Sequence, residues 1–126
     1  MNNETHMFLT ACKAYNSDKL KQINIQEISL SNIKIGFISL FKTFAPLDFI
    51  DYVQRTFLLD IKMDDIEIYD ILHHTCVNGK LKHVIYIYNN IKISEFVDVE
   101  KILKDTYNHK KLHILSYFLE KEIYFK

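Results

Sequence analysis

Histidine and cysteine are the residue types in this chain that could most directly carry chemistry. His73, His74 and Cys76 lie within four positions, close enough in sequence to suggest a cysteine–histidine nucleophile pair. Successive residues of one helix point apart, which argues against a reactive pair if the segment is helical. We therefore predict a structural role for His73.

A second histidine pair has the spacing of metal ligands. His109 and His113 stand four residues apart, which on a continuous helix would present two imidazoles to one ion. The polar turn predicted at Asn108–Lys110 interrupts that helix, and no cysteine or glutamate nearby completes a ligand set. We expect no metal site. With two glycines in the chain, neither a phosphate-binding loop nor a dinucleotide fingerprint can form, so we expect no cofactor.

Acidic residues are concentrated between positions 60 and 70, where paired carboxylates could bind a cation or support hydrolysis. The cluster lacks the spacing of a calcium-binding loop and falls in a segment predicted to be a solvated connection. Its members are Asp60, Asp64, Asp65, Glu67 and Asp70. A small hydrolase using histidine and acidic residues is thus the least favoured function, and we expect the protein not to be an enzyme.

The overall composition indicates a soluble globular protein. The chain has 126 residues, 48% of them hydrophobic, and 16 basic residues balance 16 acidic ones. Nucleic-acid binding normally needs a basic excess, so it is disfavoured. The longest apolar stretch, 33–41, is too short to span a membrane, and the first residues do not resemble a signal peptide. We expect a cytoplasmic protein with free thiols at Cys12 and Cys76.

Apolar periodicity predicts a series of short helices joined by polar turns. Connections are expected at 24–31 and 89–98. The helices are expected at about 5–15, after Asn16–Asp18, at 33–43, 46–58, up to Asn78-Gly79, from Leu81 to about 89, at 99–107 and at 111–120. The helix before Asn78 could begin with a capping box formed by Asp64 and Glu67, or later with Asp70 as its N-cap. We favour Asp70.

The chain aligns with itself at a spacing near 30 residues. Residues 75–81 overlie residues 106–112 at a shift of 31, and the same shift takes Leu81 back to Ile50. A further 30 residues lead from Ile50 to Leu20. Regular spacing of this length is typical of stacked helical repeats, so we predict four helix pairs in one domain covering 1–126.

The best-preserved unit, DILHHTCVNGKL at 70–81, resembles the ankyrin repeat, whose pattern reads TPLHxAAxxGHL. Leu72 and His73 match the Leu-His pair, and Gly79 matches the turn glycine; Asp70 stands at the capping threonine and Ile71 at the proline. The resemblance implies an all-α solenoid of about four antiparallel helix pairs, with the β-hairpin fingers reduced or absent. It also implies that His73 joins neighbouring turns through hydrogen bonds.

Ankyrin-like proteins are non-catalytic modules that bind another protein, and this function is what the resemblance implies here. The connections and first helices would line the binding face, which gives the contact candidates Asp65, Glu67, Tyr69, Asp98, Glu100 and Lys101. The codon bias implied by abundant Ile, Lys, Asn, Phe and Tyr indicates an AT-rich genome, such as that of a large DNA virus or an amoeba. If the source is a virus, the resemblance implies a modulator of a host factor.

Two further expectations stay open. The alternative architecture is a compact all-α bundle with a central buried helix, resembling viral Bcl-2-like inhibitors, in which 33–43 and 46–58 would form the core and a groove for a host helix. The apolar tail Ile123–Phe125 is expected to cap the last helix pair or to form a homodimer with a second chain.

Overall fold

The computed structural model describes residues 2–58 and 62–121, and all regular structure in these two ranges is helical. The all-α prediction is therefore confirmed for this part of the chain. A short 3-10 helix at Ile25–Glu27 accompanies the α-helices, which are α1 (Asn3–Ala14), α2 (Ser17–Leu20), α3 (Leu30–Lys42), α4 (Leu47–Phe57), α5 (Asp65–Val77), α6 (Leu81–Asn90), α7 (Val99–Asn108) and α8 (Leu112–Lys121). The predicted tail 123–125 lies outside the described residues.

The chain divides into two compact units, Met1–Met63 and Asp64–Lys126. In the first unit α1 packs against α2 and α3, and α3 packs against α4. Gly36 allows the close approach of α1 and α3, because an added Cβ would collide with the ring of Phe8 and lie 3.2 Å from Cys12 Sγ. The core of this unit consists mainly of Phe8, Ala11, Cys12, Leu20, Ile33, Phe37, Leu40, Phe41, Ile50, Val53 and Phe57.

The second unit repeats this plan. Helix α5 packs against α6 and α7, α7 packs against α8, and α6 also contacts α8. Two buried threonines occupy equivalent places: Thr75 Oγ1 donates to the carbonyl of Ile71 (2.6 Å), and Thr106 Oγ1 donates to that of Ile102 (2.7 Å). The core consists mainly of Ile68, Ile71, Leu72, Cys76, Val84, Ile87, Ile102, Ile114 and Phe118.

The turn between the two helices of each pair contains one residue with a left-handed backbone conformation. These residues are Tyr15, Phe44, Gly79 and Lys110, with φ between 53° and 71°. In all four turns the amide of the following residue donates to the carbonyl five positions earlier, as in a Schellman motif. The bonds are Asn16 to Ala11, Ala45 to Leu40, Lys80 to Thr75 and Lys111 to Thr106.

The turn positions correct the predicted register. They are separated by 29, 35 and 31 residues along the chain. The shift of 31 between the third and fourth pairs is therefore right, and the equivalent threonines agree with it. Between the second and third pairs the spacing is 35, so pairing Leu81 with Ile50 is wrong by about one helical turn.

The preferred start of α5 is also wrong. Asp64, and not Asp70, is the N-cap: its side chain accepts from the amide of Glu67 (2.8 Å), and Glu67 Oε1 accepts from the amide of Asp64 (2.8 Å). This reciprocal capping box satisfies two amides that would otherwise lack a partner, and it extends the helix by six residues beyond the favoured prediction. Helices α1 and α3 likewise start earlier than predicted, capped by Asn2 and Ser29.

Candidate protein-binding surface

Helices α5 and α7 are joined on their surface by a cluster of four side chains. Nε2 of His73 lies 2.8 Å from Oδ2 of Asp105, and Lys101 Nζ donates to both oxygens of the same carboxylate at 2.9 and 2.8 Å. The ring of Tyr69, one turn before His73, stacks on the imidazole at 5.5 Å with an interplanar angle of 13°. The side chain of His73 therefore connects α5 with α7.

The electrostatics of this cluster favour a structural role, holding α5 and α7 together, over a catalytic one. The hydrogen bond from Lys101, followed by that from His73, holds the pKa of Asp105 below its ordinary value. The same contact with Asp105 raises the pKa of Lys101. A carboxylate stabilised in its charged form by two donors is a poor proton acceptor near neutral pH. The geometry therefore fixes the spacing of α5 and α7 and keeps Tyr69 and Lys101 in place.

Three of the predicted contact residues have local structural roles. Glu67 completes the capping box of α5, and Asp98 caps α7 by accepting from the amide of Lys101 at 3.0 Å. Oδ1 of Asp65, in the first turn of α5, accepts from Ser94 Oγ at 2.7 Å. This last bond attaches the α6–α7 connection to the beginning of α5.

Two large apolar side chains at this attachment were missed by the sequence analysis. Ile66 follows Asp65 directly and is 81% exposed, and Phe96 lies two residues beyond Ser94 and is 79% exposed. The amide of Phe96 donates to Ser94 Oγ at 3.2 Å, so the same serine fixes both segments. Ile66 does not fit the helical spacing of the buried residues of α5. This sequence signal could have identified its side chain as exposed.

Glu100 lies apart from this attachment, at the edge of a groove between α7 and α8. The groove has a volume of about 580 Å³, and its lining is mostly apolar. Tyr107 is 60% exposed there and Leu119 is 61% exposed. Its lining residues are Glu100, Leu103, Lys104, Tyr107, Asn108, Leu115 and Leu119.

The remaining candidates for chemistry are held in separate places. His109 Nδ1 donates to the carbonyl of Asp105 and His113 Nε2 donates to that of Gly79, both at 2.8 Å, and the helix is broken between them as predicted. Burial raises the pKa of both Cys12 and Cys76 to about 12. Within 2–58 and 62–121, no three histidine, cysteine or acidic side chains are grouped closely enough to hold a metal ion.

Comparison with known proteins gives no relative from which a role could be taken. No protein-family model matches the chain, and neither a curated protein nor a solved structure is significantly similar to it. None of the described helices is long and apolar enough to cross a membrane.

Proposed function

We propose that this chain is a non-catalytic module that binds another protein through the surface where α5 begins. The observation that carries the proposal is the pair Ile66 and Phe96, two large apolar side chains about four-fifths exposed on segments joined by the Asp65–Ser94 hydrogen bond. Of the six predicted contact residues, Asp65, Glu67 and Asp98 belong to these same segments. We call the segments 62–67 and 92–98 together the α5 entry surface.

Protein-binding sites commonly place a few apolar or aromatic side chains inside a polar rim, with a rigid backbone beneath them. The α5 entry surface has this character. The capping box holds the first turn of α5, and Ser94 holds the connection against it. Because the anchoring bonds exist before a partner arrives, little conformational entropy is lost on binding.

Charge indicates the chemistry of the partner. The two segments of the α5 entry surface carry five acidic residues and two basic ones. A partner with apolar side chains flanked by lysine or arginine would therefore be favoured, and its association should weaken with salt. The further expectation of a viral protein that modulates a host factor is a specific form of this proposal, resting on the resemblance to ankyrin-like proteins.

The packing within each unit supports a repeat-type module over the Bcl-2-like alternative. The principal contacts join the two helices of a pair, or a helix with its counterpart in the next pair of the same unit. Such neighbour contacts are typical of repeat proteins, whereas a Bcl-2-like bundle surrounds one central helix.

Two single substitutions test the proposal. Ile66→Asp and Phe96→Asp each place a charge at an exposed position, and an aspartate in the first turn of α5 is compatible with the helix dipole. Both variants should fold as the wild type does by circular dichroism. Cross-linking in extracts of the natural host, followed by quantitative mass spectrometry, should show at least tenfold loss of the captured partner.

Ile35→Asp is the control, since Ile35 is an isoleucine of α3 in the first unit that is also largely exposed, at 56%. It should retain the partner. Capture of the same proteins in the same amounts by all four chains would contradict the proposal. With the partner purified, the dissociation constant should rise with salt concentration for the wild type and for Ile35→Asp.

A further inference from the structure

We infer that the groove between α7 and α8 binds a second copy of this chain, giving a weak two-fold symmetric dimer. This surface is separate from the α5 entry surface, so the inference stands or falls independently of the proposed function. The groove is lined by Leu103, Tyr107, Leu115 and Leu119, and two of these side chains are about 60% exposed. Contact between these apolar side chains and water is unfavourable, and their burial against a second chain would remove that contact.

The charges at the edge of the groove indicate the occupant. Glu100 and Lys104 stand one turn apart on α7, both line the groove and both are largely exposed, with Lys104 Nζ 3.7 Å from Glu100 Oε1. A two-fold axis that passes between antiparallel copies of α7, midway between Glu100 and Lys104, places each glutamate opposite the lysine of the other chain. One acidic and one basic residue at this spacing are therefore complementary to themselves, as a symmetric interface requires.

The size of the groove sets the expected affinity. Helices α7 and α8 have ten residues each, which corresponds to a length of about 15 Å. A patch formed by two helices of this length is at the small end of specific interfaces, where association is transient. We expect a monomer–dimer equilibrium that becomes visible between micromolar and millimolar concentration.

Sedimentation of the full chain over this concentration range measures the equilibrium directly. The wild type should shift from monomer to dimer, whereas Leu119→Asp should remain monomeric throughout. Leu30→Asp is the matched control, because Leu30 of α3 is 62% exposed and Leu119 is 61% exposed. The control should dimerise as the wild type does.

Charge substitutions test the symmetry. Glu100→Lys makes the edge of the groove wholly basic, and Lys104→Glu makes it wholly acidic, so each variant alone should dimerise at least tenfold more weakly. An equimolar mixture of the two should form heterodimers with restored affinity. Each variant loses its own Glu100–Lys104 pair, so a merely structural role of that pair cannot explain recovery on mixing.

Three outcomes would overturn the inference. The first is a wild-type chain that stays monomeric at every concentration. The second is a dimer that persists in Leu119→Asp. The third is a dimer that forms only after residues 122–126 are removed, which would mean that the chain's own end occupies the groove.

Discussion

At the scale of single residues, Asp105 has the central position in the surface that joins α5 and α7. It accepts from Lys101 and from His73, one on its own helix and one on the neighbouring helix. A histidine that could be taken for a catalytic group in the sequence thus contributes to the attachment of α7 to α5.

The lowered pKa of Asp105 predicts a specific pH dependence of stability. The pKa of Asp105 is lower in the folded chain than its ordinary value of 3.8. In this pH range the folded state therefore binds fewer protons than the unfolded state does. The stabilisation is present above about pH 4 and is lost below it as the carboxyl becomes protonated. Asp105→Asn should therefore be less stable than the wild type at pH 7, and the difference should shrink at about pH 3.

Urea unfolding followed by circular dichroism at several pH values measures this difference. Glu95→Gln, which alters an exposed carboxylate of the α6–α7 connection, serves as the control and should have the same small effect at each pH. A stability difference between wild type and Asp105→Asn that stays constant down to about pH 3 would contradict the assignment.

Tyr88, in contrast to Asp105, has a buried polar group whose loss of contact with water no hydrogen bond within 2–58 and 62–121 offsets. Its hydroxyl oxygen is buried and has no hydrogen-bond partner among the described residues, while its ring packs edge-on against Phe118 at 5.3 Å. Burial also raises the pKa of this tyrosine. Tyr88→Phe should keep the ring contact and raise the free energy of unfolding by about 1 kcal/mol, measured by urea denaturation.

Tyr117→Phe is the matched comparison, since Tyr117 also contacts Phe118 and is half-buried. It should change the stability less than Tyr88→Phe does. A clear loss of stability in Tyr88→Phe would show that the hydroxyl has a partner, such as an ordered water.

At the scale of elements, the four turns use one backbone geometry with four different residues. Only the third has glycine, the residue for which a left-handed conformation costs least. Lys110, at the fourth turn, has φ 62° and is exposed, so Lys110→Gly should raise the free energy of unfolding by up to about 1 kcal/mol.

The reverse change should destabilise the third turn. At Gly79 a Cβ would lie 3.0 Å from Lys111 Cδ and 3.1 Å from His113 Cε1, and φ is 71°. Gly79→Ala should therefore lower the free energy of unfolding by about 1 kcal/mol, or more if the neighbouring side chains cannot move. Urea denaturation of both variants checks the pair of predictions, and equal and negligible effects would contradict the conformational argument.

The same turns explain how much could be predicted from the sequence. Asn78-Gly79 marks its turn by composition, whereas Tyr15 and Phe44 are not turn-forming residue types, so their positions were set by the helices around them. The helix caps, too, could be predicted only in part from residue type. Asp64 and Asp70 both suit an N-cap, and the choice depends on a reciprocal bond with Glu67 that repeat alignment cannot reveal.

The candidate site was predictable only in part, for a physical reason. The resemblance places connections and first helices on the binding face, which led to Asp65, Glu67 and Asp98, but acidic residues at helix starts also suit capping and the helix dipole. Their interpretation as contact residues ignored that competing role. Ile66 and Phe96 were overlooked because apolar residues are assigned to a core unless the structure shows them exposed.

At the scale of the whole molecule, the buried thiols provide a probe of each compact unit. Cys12 lies in the core of the first unit and Cys76 in that of the second, and burial raises the pKa of both to about 12. Thiol reagents require an accessible thiolate, so labelling of each cysteine should wait for opening of its own unit. Mass spectrometry of the peptides reads both sites in one experiment.

A core substitution in one unit should then act mainly on the thiol of that unit, because each unit has buried core residues of its own. Phe8→Ala removes a fully buried ring that contacts Phe57 at 5.1 Å, at a cost of about 3 kcal/mol or more. We expect labelling of Cys12 to accelerate by about 100-fold or more and labelling of Cys76 by less than about tenfold.

Ile102→Ala gives the reciprocal experiment, since Ile102 is fully buried in the second unit. It should accelerate Cys76 while Cys12 changes little. Even complete unfolding of one unit leaves the result readable, because the other thiol still reports its own environment. Equal acceleration of both cysteines in both variants would instead identify one all-or-none folding unit, the behaviour expected of a compact bundle.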